Sequence, residues 1–294
     1  MLISFIIPYH NEAEALLRAA VGSILELPLA EDEAEIIVVD DGSETSAEEW
    51  LTALSPMIRY VRQQNAGLSV ARNNGIALSQ GDYLQFVDAD DCLLPSAYSQ
   101  VLDLLRRRHP DMVLFRFTTR QPTRTGSRPL DFVHRSGAWQ LRHCNHRPAA
   151  WAYTFRRQVL GPLRFHPGIW HEDDLFTPQL LARVRRLFVT TGAAYFYRQH
   201  GGSFIHTRTP EHIQNRLDTI HFVILQLRAA ANPLLDRPIA QLTMAYLYLT
   251  ATLTRRPGEL RRRIRQLRQD GLFPLPLRFY TAKYLLFALA TRFL

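Results

Sequence analysis

The chain has 294 residues, 47% of them hydrophobic, which suits one large α/β domain, with or without an appended helical region, and excludes a disordered chain. Two cysteines, Cys92 and Cys144, exclude a disulfide-framed fold and point to a reducing, cytoplasmic compartment. The formal net charge is +8, nearly all from arginine, yet residues 1–55 are acidic and 255–268 (RRPGELRRRIRQLR) is basic, which argues against a nucleic-acid binder and for a basic surface in the C-terminal third.

The predicted elements alternate. LISFIIP is a short β-branched apolar run and reads as a buried strand. It has no basic leader, so no signal peptide is expected. EAEALLRAAVGSILEL has apolar residues at helical spacing. EIIVVD is a second strand, broken by Asp-Asp-Gly-Ser, with a helix starting near Ser46. MIRYVRQ is a third strand, and GLSVARNNGIALSQG a helix whose Gly81 suits its end. YLQFVDADD is a fourth strand, PSAYSQVLDLLRRRHP a helix with proline near its start, and DMVLFRF a fifth strand. Strands alternating with helices predict a Rossmann-like, mostly parallel α/β sheet.

The regular pattern ends near Thr118. Residues 119–206 mix short strands and helices, and 207–294 read as helical. No repeat of about 20–50 residues is present. No uncharged apolar run reaches the length of about 18 residues that a membrane-spanning helix needs.

Three strand ends are unusually polar: Pro8-Tyr9-His10-Asn11-Glu12, Asp40-Asp41-Gly42-Ser43 and Asp88-Ala89-Asp90-Asp91. A turn or helix cap accounts for any one of them. Three together point to a ligand, because open α/β sheets bind ligands outside the carboxyl ends of their strands. Asp-x-Asp suits a hard divalent cation, Mn²⁺ or Mg²⁺, held by one or two carboxylates and substrate phosphates. Such a cation would let Asp88, Asp90 and Asp91 tolerate one another.

PYHNE, VVDDGS, QNAGLSVARNNGI and FVDADD, in this order and spacing, resemble the family 2 glycosyltransferases, an inverting family with a GT-A fold. The resemblance is strong over residues 2–118 and sparser to 205. It implies sugar transfer from a nucleotide diphosphate donor, most often a UDP-sugar, to a glycan or lipid-linked acceptor in bacterial polysaccharide synthesis. It makes 1–206 the catalytic domain, with 1–118 the nucleotide-binding half and 119–206 the acceptor half. Pro8, His10 and Glu12 would line the nucleoside, with His10 where tyrosine is usual. Asp41 would accept from the uracil N3–H, supported by Asp40 or Ser43. Asn65, Gly67 and Arg72 would flank the nucleotide or donor sugar; the other reading of Arg72 is a surface residue on a helix. Asp88 with Ala89 would contact the ribose side of the donor. Asp90, with Asp88 beside it, would hold the metal, and Asp91 would support the site or touch the donor sugar. Cys92, Leu93 and Leu94 read as packing residues behind the turn.

An inverting transfer needs a base for the acceptor hydroxyl. FHPGIWHEDDLF resembles the family's Glu-Asp motif, which makes Asp173 the base and Glu172 its neighbour; the other reading is a helix N-terminus that attracts acids. Trp170 would line the acceptor pocket, and His171 stands where the family often has a small residue. AAYFYRQHGGSFIHT matches the family's strand and closing loop, implying that Arg198 and Ser203 reach the diphosphate and that His200 or His206 completes the metal shell. RHCNHR (142–147) fits no familiar zinc spacing and reads as a structural segment or acceptor-site wall. No tryptophan follows an arginine, so the Gln-x-x-Arg-Trp motif of processive members is absent and one sugar per encounter is expected.

The C-terminal stretch carries Phe279, Tyr280, Tyr284, Phe287 and Phe293 beside Arg278, Lys283 and Arg292. It and the arginine-rich 255–268 suit peripheral contact with the anionic inner face of the cell membrane; packing on the catalytic domain or a homodimer is the alternative. A sugar nucleotidyltransferase and a non-catalytic nucleotide-sugar-binding membrane scaffold are the other functional readings. The first lacks its glycine-rich activation loop at PYHNEAEA, and the second is disfavoured by the retained Asp90 and Asp173.

Overall fold

β1 (Ile3–Tyr9) is buried at all seven positions because it is a central parallel strand covered on both faces. The computed structural model describes residues 2–120, 128–145, 148–199, 209–254 and 256–293. β2 (Ala34–Asp40) and β4 (Tyr83–Phe86) flank β1 in parallel, and β3 (Ile58–Arg62) extends the sheet beyond β2. Helices α1 (Glu14–Leu25), α2 (Glu48–Thr52), α3 (Leu68–Leu78) and α4 (Pro95–Arg108) follow these strands in turn. In α1, Leu17, Ala20, Val21 and Ile24 form the buried stripe expected of helical spacing. Gly75 lets α3 lie close on β1, since a Cβ there would fall 2.3 Å from Ile6 Cγ2.

Past α4 the sheet continues with β5 (Cys92–Leu93), β6 (Met112–Thr118), β7 (Phe132–Arg135), β8 (Tyr153–Arg156) and β9 (Leu187–Phe196). Among the described residues this is one nine-stranded sheet of order β3-β2-β1-β4-β8-β6-β9-β5, with β7 also on β9. β1–β4, β6 and β9 run one way, while β5, β7 and β8 run the other, so the sheet is mixed but mostly parallel. β4 is shorter than its sequence suggests. It stops at Phe86 and leaves the acidic turn free of the ladder. Cys92 and Leu93 do more than pack: they pair antiparallel with Phe196 and Tyr195 of β9. A buried polar network ties α4 to the sheet. The Gln85 side-chain oxygen accepts from Thr154 Oγ1 at 2.6 Å and from the Tyr98 hydroxyl at 3.2 Å, and Gln85 Nε2 donates to the Trp151 carbonyl at 3.0 Å.

The chain divides into two compact units. The first holds 1–137, 148–168 and 183–200; the second holds 138–147, 169–182 and 201–294. Segments 138–147 and 169–182, which the sequence pattern leaves with the first 206 residues, therefore fold with the C-terminal helices. α5 (Gly137–His143) lies at the first of these crossings, α6 (Arg157–Leu160) belongs to the first unit, and α7 (Asp173–Leu181) to the second. The second unit continues with α8 (Pro210–Ala229), α9 (Asp236–Leu249), α10 (Pro257–Gln269) and α11 (Ala282–Ala290). Its core joins Leu217, Ile220 and Ile224 of α8 with Tyr246 and Leu247 of α9 and Ile264 and Leu267 of α10. Leu175 seats α7 against Val223 and Leu227. Among the described residues no helix is long and apolar enough to cross a membrane.

The arginine-rich stretch is less of a free basic surface than its composition suggests. Arg263 is buried, with Nε 2.6 Å from Glu259 and Nη1 donating to the Tyr246 hydroxyl at 2.6 Å. Arg262 also pairs with Glu259, and these two arginines hold that carboxyl down at about 2.

Candidate active site

Asp41 directly follows β2 and organises the loop that leads into α3. Its Oδ1 accepts from Gln63 Nε2 at 2.7 Å and the Ala66 N–H at 2.8 Å; its Oδ2 accepts from the Gly67 N–H at 2.8 Å. Lone-pair capacity remains on Oδ2 for a ligand donor. Gly42 has φ +78°, and a Cβ there would lie 2.8 Å from the Asn65 nitrogen, so only glycine lets the β2 turn meet this loop. Asp40 beneath accepts from the Ser43 N–H at 2.7 Å and from the Tyr60 hydroxyl. The Ser43 hydroxyl accepts from the Asn11 N–H at 3.0 Å, lacing the end of β1 to the end of β2. Pro8 stands in register with Val39. The exposed His10 brings its Nε2 within 3.3 Å of Asn65 Nδ2, so His10, Asn65, Gly67 and Asp41 share one ledge.

The acidic turn stands at the end of β4, which neighbours β1. The Asp88 N–H donates to the Tyr195 hydroxyl at 3.1 Å, and Ala89 is buried. Arg72 is not a surface residue. It is buried in α3, its guanidinium carbon 5.7 Å from the Phe86 ring centre and 5.3 Å from that of Phe165, and it donates to Asp88 Oδ1 at 2.9 Å. Arg198 arrives from the end of β9, placed by the β5–β9 pairing. Its N–H donates to Asp91 Oδ1 at 2.7 Å and its Nε to the Asp90 carbonyl at 2.9 Å.

Asp91 is fully buried. Burial first, then the neighbouring Asp88 and Asp90, pushes its pKa up to about 8. Burial likewise raises Glu12 against hydrogen bonds from the His10 and Glu12 backbone, and Asp90 and Asp88 add to the rise. Glu12, Asp88, Asp90 and Asp91 thus form one cluster of carboxyl groups, in which crowding and burial favour protonation of Asp91, bordered by Arg72 and Arg198. Among the described residues no three His, Cys, Asp or Glu side chains form a ready metal cage. The fit is to a hard cation held by one or two of these carboxylates and by substrate oxygens, which would also offset the repulsion from Asp88 and Asp90 that adds to the effect of burial at Asp91. His200, Ser203 and His206 lie outside the described residues.

The second unit carries the other acidic motif. Asp173 is the first residue of α7, half-buried where the helix dipole favours a carboxylate, and buried Glu172 precedes it. Desolvation, then Glu172, pushes half-buried Asp174 up to about 7 against the pull of Arg216. His171 has φ +54° and a pKa lowered by burial and then by Arg216. Trp170 lies 4.7 Å, ring to ring, from His212 of α8. Segment 142–145 is structural: Arg237 of α9 donates to the Arg142 carbonyl at 2.8 Å and to Asn145 Oδ1 at 2.7 Å. Sequence reasoning missed Tyr195, Gln63 and Arg216. Tyr195 is foreshadowed only by its place three residues before Arg198, and Arg216 by nothing local.

A family model described as Glycosyl transferase family 2 matches residues 4–161. The chain is 28% identical over 217 residues to "Uncharacterized glycosyltransferase YibD" of Escherichia coli, covering 68% of this chain and 62% of that protein. S. aureus TarS 1–349, solved in complex with UDP-GlcNAc, superposes with a TM-score of 0.66 at 16% identity, over 98% of this chain and 80% of that one. Mannosyltransferase PcManGT from Pyrobaculum calidifontis, solved with GDP-Man and Mn²⁺, gives a TM-score of 0.59 at 16% identity, over 99% and 86% of the two chains. At such identities these neighbours speak for the GT-A fold. The family match spans the ledge and the acidic turn together, and on that ground the chain belongs to glycosyl transferase family 2.

Proposed function

We propose that this glycosyltransferase moves one sugar per encounter from a UDP-sugar to a glycan or lipid-linked acceptor, with inversion, in cell-surface polysaccharide synthesis. The observation that carries this reading is the Asp88–Asp91 turn, a cluster of carboxyl groups bordered by Arg72 and Arg198 at the ends of parallel strands. Such a mixture suits a diphosphate and a cation bound together. The UDP-GlcNAc complex of TarS favours a uridine donor.

In this reading Asp41 Oδ2 accepts from the uracil N3–H, while His10 and Asn65 cover the base. Asp88, held by Arg72, meets the ribose. Asp90 would hold Mn²⁺ or Mg²⁺, a cation that would supply positive charge beside the diphosphate. Arg198 reinforces that stabilisation. Asp173 takes the acceptor hydroxyl proton as the oxygen attacks the anomeric carbon, and Glu172 positions the sugar.

A donor screen by nucleotide release, run with Mn²⁺ and with chelator, tests it. Release from a UDP-sugar that stops with chelator and in Asp90→Asn is the expected result. Metal-independent turnover would remove the role given to Asp90. Nucleotide binding without turnover across acceptors would instead mark a non-catalytic scaffold.

A further inference from the structure

α11 has two apolar faces. One is inside: Tyr284 and Ala288 pack with Ala240 and Leu275, and Thr291 is buried next along that side. The other meets solvent, with Leu286 69% and Leu289 42% exposed, and the 3-10 turn that follows, Thr291–Phe293, continues it with Phe293 90% exposed. At about 100° per residue Leu286 and Leu289 lie within about 60° of each other, opposite Tyr284 and Ala288. Lys283 borders this stripe one turn before Leu286, and exposed Arg292 stands at its far end. Among the described residues neither cation is paired with a carboxylate. Lys283 Nζ instead lies 5.8 Å from the ring centre of exposed Tyr248 on α9. The segment before the helix exposes Phe279 (78%) and Leu277 beside Arg278.

We propose that the outward face of α11, through Leu286, Leu289 and Phe293 with Lys283 and Arg292, seats the protein on an anionic phospholipid bilayer. An apolar stripe edged by cations is what an in-plane interfacial helix requires: the stripe enters the acyl boundary and the cations stay among the phosphates. The charge complementarity names the partner. A second copy meeting this face about a two-fold axis would bring the same unpaired cations together, which disfavours self-association. The role falls to α11 rather than α10, because α10 exposes cations but no large apolar side chain: its Ile264 and Leu267 are buried. This inference is independent of the donor, acceptor and metal assignments.

The test is flotation of the full chain with vesicles of phosphatidylcholine alone and of phosphatidylcholine and phosphatidylglycerol in equal parts. Wild type should float with the anionic vesicles and stay behind with the neutral ones. Joint Leu286→Asp and Phe293→Asp should lower partitioning about tenfold or more per residue. Joint Lys283→Ser and Arg292→Ser, which leaves the apolar stripe intact and guards against a folding defect in the first pair, should lower it about fivefold per charge and weaken the anionic preference. Val133→Asp, at an exposed apolar position in the first unit, should change nothing. Wild type that fails to float, or either pair floating as well as wild type, overturns the proposal. So does a dimer in sedimentation that the Asp pair dissolves without any flotation, which would assign the face to a second copy. Nucleotide release without vesicles stays unaffected, so failure here is distinguishable from failure of the proposed reaction.

Discussion

The Arg198 main-chain N–H donates to Asp91 Oδ1 at 2.7 Å, joining positions 107 apart in the chain. The bond fastens the end of β9 to the acidic turn, and the Arg198 side chain returns to the Asp90 carbonyl. Asp91 thus holds Arg198 in place. Asp91→Asn keeps the accepting oxygen, so its melting temperature should stay close to wild type. Asp91→Ala leaves a half-buried N–H without its acceptor and should lose about 1 kcal/mol or more in denaturant unfolding. Equal losses in the two variants would show that Asp91 is not this anchor.

Arg72 packs against the touching rings of Phe86 and Phe165 and neutralises Asp88. Arg72→Ala should cost about 1–3 kcal/mol of stability and raise the donor KM, because Asp88 loses its orientation. Arg72→Lys should recover part of the charge but not the planar stacking on the rings. A donor KM unchanged in Arg72→Ala would separate Asp88 from the nucleotide.

Two adjacent aspartates compete for the role of base, and only one opens α7. Asp173→Asn should lower kcat about 10²–10⁴-fold with donor binding retained. Asp174→Asn should leave most activity. Isothermal titration with UDP beside steady-state kinetics separates the two effects, and the reverse ranking would move the base by one position.

Asp174 also makes stability depend on pH. Its carboxyl rises from an ordinary 3.8 to about 7 on folding, so between these values the folded state binds more protons than the unfolded one. Its contribution is therefore fully present below about pH 4 and lost as pH rises through about 7. Urea midpoints at pH 5 and pH 8 should differ less in Asp174→Asn than in wild type, with the variant gaining at pH 8. An unchanged difference would mean that Asp174 titrates normally.

Much of the fold was legible locally. β1, β2, β3 and the helices after them follow from apolar period and turn residues, because each buries a continuous face. β5 and β8 were not legible. They are two and four residues long, and they are strands only because β9, β4 and β6 present backbone partners from far away in sequence. The candidate site divides in the same way. The acids at the strand ends stand out as charges where a core strand stops. That Asp41 braces the 63–67 loop, or that Arg263 turns inward from an apparently basic stretch, has no local signal.

The sequence by itself determined the order of elements, the α/β class and the segments that carry chemistry, because periodicity and turn residues act within a few positions. The tertiary structure decided which charges meet: Arg72 with Asp88, Arg198 with Asp91, Arg263 with Asp218. It also decided which face of α11 is left in water. Charge pairing and burial depend on distances through space, and only the folded chain sets those distances for residues remote along it.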